Sequence, residues 1–175
     1  PRRLGRTRSL SPITGKVAVW GLVERTTPER KSRVRLEVVP NVRRRSVLLN
    51  VKKNVVMDGT ATVYTDALKS YERPASWGPA DLYVHKVIDH AEKYADGIVH
   101  TNGMENFWSL LKRAIKGTYV CIEPFHLFRY LDEQVFRFNN RKDNDGGRFM
   151  LGLSRIVNKR LTYKALIGSE LPQTC

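Results

Sequence analysis

Residues 99–117 have the sequence VHTNGMENFWSLLKRAIKG, which carries the strongest helical pattern in the chain. Its apolar residues recur at the spacing that forms one continuous stripe, which predicts a helix with one buried side. These residues are Met104, Phe107, Trp108, Leu111 and Ile115. A second stripe is polar and faces away from the first, so that one acid and two bases share a face of the helix. Its members are Glu105, Ser109, Lys112 and Lys116.

The start of this helix permits two interpretations. Asn102 and Glu105 have the spacing of a capping box, in which Asn102 accepts from the Glu105 amide while the Glu105 side chain reaches back. The same residues also present oxygen ligands on a rigid element, which is what Mg²⁺ requires. Asp66, at the carboxyl end of a predicted strand, would contribute another oxygen. Spacing alone favours the cap, and it leaves Lys112 as either a solvated lysine or a DNA contact.

The composition points to a polyanionic partner. A chain of 175 residues is long enough for one domain with its own core. Thirty-one Lys and Arg residues against 17 Asp and Glu residues give a net charge of +14, in the range typical of nucleic-acid-binding domains. No apolar run approaches the roughly 18 residues of a membrane span. Nucleic acid is therefore the expected partner, and a membrane is not.

Cysteine usage indicates a reducing compartment rather than a metal site. Cys121 and Cys175 are too few and too far apart to form a zinc site. Two unpaired thiols are the usual state in the cytoplasm or the nucleus. We therefore expect the protein beside the nucleoid of a bacterium or in the nucleus of a eukaryote.

The first half of the chain predicts strands around one helix. KVAVWGLVER, from Lys16, is apolar on both sides, as in a central strand. RVRLEVVP follows as its hairpin partner, with Val34, Leu36 and Val38 predicted to face inward. A helix is predicted over residues 42–55 with Asn41 as its cap, and its inward residues are Val47, Leu48, Val51 and Val55. Asp58-Gly59 then predicts a turn, TATVYTD a strand, LKSYERPASWG a brief helical turn and DLYVHKVID another strand.

The second half is predicted to be helical. A long helix is expected from Pro124 to about Asn140, with Phe128, Leu131, Val135 and Phe138 inward. RKDNDGG then reads as a polar loop, and residues 149–167 alternate apolar and basic positions. The element order predicts an α/β fold, an RNase H-like mixed sheet flanked by helices whose first strand is missing. The predicted domain spans residues 16–168, between a basic flexible arm at 1–15 and a tail at 169–175.

A run of bases precedes and enters the predicted first helix. Arg43, Arg44 and Arg45 lie outward in this pattern, with Lys52 and Lys53 further along. Such a cluster is either a solvated helix face or a set of phosphate contacts. We include the three arginines with Lys112, Arg113 and Lys116 among the candidate DNA contacts.

Four segments together resemble a known family. TDALKSY, VHKVIDH, HTNGMENFWSLLKRAIKGTY and HLFRYLDEQVFRFNNR are similar to successive blocks of the insertion-sequence DDE transposases of the ISXO-like group, relatives of the eukaryotic Merlin elements. GKVAVWGLVER resembles the strand pair that precedes these blocks. The similarity runs from about Lys16 to Arg141, and the HTN-x-x-E-x-x-W-x-x-x-K pattern is its most specific part.

The resemblance implies an RNase H-like catalytic domain that holds two Mg²⁺ or Mn²⁺ ions on three side chains. Asp66 matches the family's second acid. The third ligand lies in the HTN-x-x-E block, where both Asn102 and Glu105 are candidates. Glu105 is preferred because it is charged and stands seven residues before Lys112, which matches the family's basic residue.

The chain departs from the family at its start. The family's first Asp lies on an opening strand that should precede the residues present here. This predicts an N-terminally truncated chain that lacks one metal ligand and is itself inactive. The expected function of the intact protein is DNA cleavage and strand transfer at insertion-sequence ends. Double-stranded DNA, from element ends and target, and further copies in a synaptic complex are its implied partners. The alternative is a catalytically inactive, DNA-binding transposase remnant.

Overall fold

The computed structural model of the protein describes residues 17–66, 68–71, 82–88 and 101–167. The chain divides into two compact units. One consists of Pro1–Trp20 and Val38–Lys112, and the other of Gly21–Glu37 and Arg113–Cys175. The predicted basic arm, the tail at 169–175 and Cys175 lie outside the described residues.

The elements follow the predicted order of strands and helices, and the α/β class is confirmed. They are β1 (Ala18–Glu24), β2 (Arg33–Val39), α1 (Arg44–Asn54), β3 (Thr62–Asp66), β4 (Val84–Ile88), α2 (Asn102–Ala114), α3 (Leu127–Asn139), α4 (Asp145–Ile156) and α5 (Tyr163–Leu166). A short 3₁₀ turn, Lys69–Tyr71, lies between β3 and β4, where a brief helical turn was predicted.

The described strands form two pairs rather than one mixed sheet. β1 pairs with β2, and β3 pairs with β4. The second pair is parallel, in a register that runs from Thr62 opposite Val84 to Asp66 opposite Ile88. The prediction of a central strand for β1 is wrong for this part of the chain, since Trp20 is its buried residue and its neighbours are half-buried or exposed. The RNase H-like arrangement remains a prediction.

Strand alternation holds in β3 and fails at the end of β2. Val63 and Thr65 are buried in β3, as the two-residue period predicts. In β2 the period buries Val34 fully, but Val38 is 38% exposed and Val39 is buried instead. Glu37 and Val38 belong to different compact units.

α1 begins later than the sequence predicts. Asn41 does not cap this helix, because its side-chain oxygen accepts from the Arg43 amide at 3.1 Å and the Ser46 hydroxyl at 2.9 Å. Arg43 occupies the cap position and makes no side-chain capping bond. The inward residues Val47, Leu48 and Val51 are buried as predicted.

α2 has the two faces that its sequence predicts. Phe107 and Leu111 are buried, and Met104, Trp108 and Ile115 are half-buried. All four members of the polar stripe are exposed. A helix of this kind is stabilised mainly by the packing of its apolar face, because intrinsic propensity contributes little over so short a length.

The C-terminal helices differ from expectation in two places. Leu131 is buried in α3 as predicted, but Phe128 is 41% exposed on its first turn. The predicted polar loop RKDNDGG contains the start of α4, where the Asn144 side chain accepts from the Gly147 amide at 2.7 Å. The sequence Asn-Asp-Gly-Gly does not predict a helix, because glycines are poor helix formers. The helix nevertheless starts here because Asn is a strong cap.

α2 ends in a strained turn. The chain continues as a π-helical turn, Ile115–Tyr119, and then places Val120 at φ 61° and ψ −56°. The Cys121 amide donates to the Tyr119 carbonyl at 2.6 Å across this residue, as in a γ-turn with a positive central φ. A β-branched residue is strained in this region, so the turn stores free energy of order 1–3 kcal/mol.

The first prediction concerns the buried stripe of α2. Phe107→Ala should lower the free energy of unfolding by about 3–5 kcal/mol, since it removes a buried ring and leaves a cavity. Phe149→Ala is the matched control, because Phe149 is 68% exposed whereas Phe107 is 2% exposed. The control should change stability by less than about 0.5 kcal/mol. Equal losses in chemical denaturation would contradict the packing of α2.

The second prediction concerns Val120. Val120→Gly should raise the free energy of unfolding by about 1 kcal/mol, because relief of strain exceeds the entropy that glycine adds to the unfolded chain. Val56→Gly is the control, as Val56 is also exposed and does not have a positive φ. It should lower stability by about 0.5–1 kcal/mol. A lower melting temperature for both variants would show that the Val120 turn is unstrained.

Candidate active site

Asp66 lies at the carboxyl end of β3, where parallel strands commonly present functional side chains. Val63 and Thr65 are buried beneath it, so the strand that positions Asp66 is anchored in the core. The Asp66 carboxylate is exposed and accepts a long hydrogen bond of 3.4 Å from the Leu68 amide. A fixed strand end thus carries an accessible carboxylate.

Two residues that the sequence did not single out stand close to this strand end. Tyr71 is half-buried, and burial followed by the negative charge of Asp66 raises the pKa of its hydroxyl. His85 in β4 lies with its Nε2 atom 2.8 Å from the Thr65 hydroxyl, and burial lowers the pKa of its imidazole. Tyr83, just before β4, is buried and His85 is half-buried, while Val84 and Val87 are exposed.

The first turn of α2 is closed differently from the predicted capping box. The helix begins at Asn102, and the Glu105 amide donates to the Thr101 carbonyl at 3.1 Å. The Thr101 hydroxyl donates to Oε1 of Glu105 at 2.6 Å. Thr101 therefore takes the place that the sequence assigned to Asn102, and Asn102 becomes an exposed residue of the first turn.

This arrangement allows the Glu105 carboxylate to take part in both capping and metal binding. A carboxylate has two oxygens and about four acceptor positions. The Thr101 hydroxyl engages Oε1, and a hydroxyl can keep that bond while the same carboxylate binds a cation. Glu105 can thus stabilise the helix start and still act as a ligand.

The basic residues of α2 are exposed beyond this turn. Lys112 lies on the polar stripe with Glu105, and Arg113 follows it. Lys116 is exposed as well, but it belongs to the π-helical turn, which departs from the α-helical period. The helix therefore presents a carboxylate near its start and positive charges near its end.

The three arginines at the start of α1 lie at the end of the helix where positive charge is unfavourable. Arg43, Arg44 and Arg45 are exposed, and the first turn contains no acidic residue. The positive end of the helix dipole lies here, so cations at this end lower helix stability. Lys52 and Lys53 occupy the favourable opposite end. A helix N-terminus with clustered arginines is suited to bind phosphate groups.

Comparison with protein families decides where this arrangement belongs. The ISXO2-like transposase domain matches residues 2–139 of the chain. The chain belongs to the ISXO2-like transposase family. The match includes Asp66, the HTN-x-x-E block and α3, and it ends before α4 and α5. No curated protein and no solved structure matches the chain.

The candidate ligands of this ISXO2-like transposase domain have the right chemistry for Mg²⁺. Asp66 and Glu105 offer carboxylate oxygens and Asn102 an amide oxygen, all from exposed side chains. Among the described residues, no three His, Cys, Asp or Glu side chains are grouped closely enough to hold a metal. The type of donor therefore fits a divalent cation, while the described acids form no three-membered cluster.

None of the helices in the described ranges has the length and apolar character needed to cross a lipid bilayer. Cys121 is exposed and is not in a disulfide.

Proposed function

We propose that this chain belongs to the catalytic domain of a DNA transposase, which when intact cleaves phosphodiester bonds and transfers strands at insertion-sequence ends. The observation that carries the proposal is Asp66, an exposed carboxylate at the end of a parallel strand pair in a member of the ISXO2-like transposase family. The proposed domain has the RNase H-like fold that the family resemblance implies.

Double-stranded DNA is the proposed substrate, from both the element ends and the target. A net charge of +14 supports a polyanionic partner. Arg43, Arg44 and Arg45 would contact phosphates at the start of α1, and Lys112, Arg113 and Lys116 would contact them along α2. Such contacts give affinity that depends on salt and little on sequence. Joining two element ends would bring two or more copies together.

Asp66 and Glu105 are the proposed metal ligands, with Asn102 as the alternative to Glu105. A bound Mg²⁺ or Mn²⁺ ion would supply Lewis-acid stabilisation of the phosphoryl oxygens and favour deprotonation of the attacking hydroxyl. The Thr101 hydroxyl would stabilise the helix start through Oε1 of Glu105 and take no part in metal binding. Lys112 would hold a phosphate in place and offset its negative charge.

The third prediction tests these ligands by activity. In the intact transposase, Asp66→Ala should abolish Mg²⁺-dependent cleavage of DNA that carries element ends, while duplex binding in EDTA stays within about threefold of the unchanged protein. Cleavage that survives this substitution would remove Asp66 from the active site. DNA binding without cleavage by the unchanged intact transposase would favour the alternative, a catalytically inactive DNA-binding transposase remnant.

Three further variants separate the ligand from the cap. Glu105→Ala should abolish cleavage, whereas Asn102→Ala should retain it. Thr101→Val is the matched control, because it removes the hydroxyl donor and leaves the carboxylate. It should lower the free energy of unfolding by about 1 kcal/mol and preserve cleavage. Loss of cleavage with Asn102→Ala alone would assign the ligand to Asn102 instead.

The fourth prediction concerns the two ends of α1. The double variant Arg43→Gln/Arg45→Gln should bind a short duplex about tenfold more weakly. Its free energy of unfolding should be about 0.5 kcal/mol higher, so the variant should be more stable. Both effects follow from removing positive charge where the helix dipole is also positive. Gln has nearly the helix propensity of Arg and Lys, so propensity does not confound the result.

The matched control is Lys52→Gln/Lys53→Gln, which removes the same charge from the other end of the same helix. This variant should be less stable by a similar amount and bind DNA nearly as well as the unchanged protein. Binding losses of equal size at both ends would mean that net charge alone sets the affinity. No binding loss for the arginine variant would remove this helix start from the DNA interface.

A further inference from the structure

The end of α3 is fixed to the start of β2 by paired hydrogen bonds. The Val34 amide donates to Oδ1 of Asn139 at 2.8 Å, and Nδ2 of Asn139 donates to the Val34 carbonyl at 3.0 Å. Val34 is fully buried at this point. The residues that follow Asn139 therefore emerge beside the residues that precede Val34, at a rigid corner.

Arg141 extends this connection by two further residues on each side. Its guanidinium donates to the Ser32 carbonyl at 3.1 Å and to the Ser32 hydroxyl at 2.7 Å. It also donates to the Phe138 carbonyl at 2.8 Å and lies over the Phe138 ring, 4.2 Å from its centroid. Arg141 is thus held in one position by groups from both segments.

This geometry brings two exposed lysines together. Lys31 precedes Ser32 and Lys142 follows Arg141, so the bonds from Arg141 to Ser32 place the two lysines at neighbouring positions. The Lys31 ammonium, and to a lesser extent the Arg141 charge, lowers the pKa of Lys142. In the described part of the chain, neither lysine forms an ion pair with a carboxylate.

The structure of this corner explains the position of the Arg141 side chain, but it does not explain why two lysines lie beside it. Cations near a helix C-terminus are stabilised by the terminal carbonyls, as Arg141 is by Phe138. Lys31 and Lys142 are flexible side chains that gain nothing by approaching another cation. Three neighbouring positive charges match a single anionic group with several acceptor oxygens, which is the chemistry of a phosphate.

We propose that Lys31, Arg141 and Lys142 form a phosphodiester-binding site that contacts the backbone of duplex DNA. The choice of DNA rests on the proposed function, and the site is distinct from the bases of α1 and α2. All three residues belong to the second compact unit, and Arg141 and Lys142 lie beyond the matched family region. Bound phosphate relieves the repulsion between the two lysines.

The test is duplex binding by Lys31→Gln/Lys142→Gln, measured by fluorescence anisotropy over about 50 to 200 mM salt. Arg141 is left intact because it fixes the corner. The double variant should bind about tenfold more weakly, and the slope of log affinity against log salt should become shallower by about 2. Its melting temperature should not fall, since it loses a repulsive contact.

The matched control is Lys86→Gln/Lys159→Gln, which removes the same charge from two exposed lysines, one in β4 and one after α4. This variant should keep the unchanged slope to within about 0.5. An equal change in slope for both pairs, or no change for the first pair, would overturn the proposal. A loss confined to double-stranded RNA would overturn DNA as its ligand. The outcome is independent of catalysis, because the binding is measured in EDTA.

Discussion

The burial of one stripe of α2 is the constraint on which the candidate site depends. A helix that buries Phe107 and Leu111 must turn the residues of its opposite stripe toward solvent. Glu105 and Lys112 are therefore held on an exposed face by packing that neither of them contributes. β3 works in the same way, because burial of Val63 and Thr65 sets the outward direction of Asp66. Apolar packing in both elements positions the polar groups.

Electrostatic placement gives a second, independent indication of function. Arg43, Arg44 and Arg45 lie at the end of α1 where positive charge is unfavourable. Lys31 and Lys142 flank the bonds that Arg141 makes to Ser32. Each arrangement lowers the stability of the isolated protein and becomes favourable when a phosphate is bound. Lys52 and Lys53 lie at the other end of α1, where the helix dipole stabilises positive charge, so their position needs no bound phosphate to explain it. Charge position, rather than total charge, separates the two groups.

Periodicity in the sequence was sufficient where one stripe or one face dominates. It predicted both faces of α2, the alternation of β3 and the buried residues Val47, Leu48 and Val51 of α1. It failed where hydrogen bonds made by particular side chains set an element boundary. Asn41 bonds to Arg43 and Ser46 without capping α1, and Asn144 starts a helix within an apparent loop. The Asn139 and Arg141 bonds join segments more than a hundred residues apart, which local pattern does not reveal.

In the proposed site, the end of β3 and the first turn of α2 would together hold a divalent cation. Mn²⁺ added in small amounts to the isotope-labelled protein tests it most directly, because the paramagnetic ion broadens nearby amide signals. We expect selective broadening of the amide signals of Asp66 and of Asn102 to Glu105, and excess Mg²⁺ should reverse it. Broadening at only one of these segments, or only at other exposed acids such as Asp143 and Asp145, would contradict a shared site.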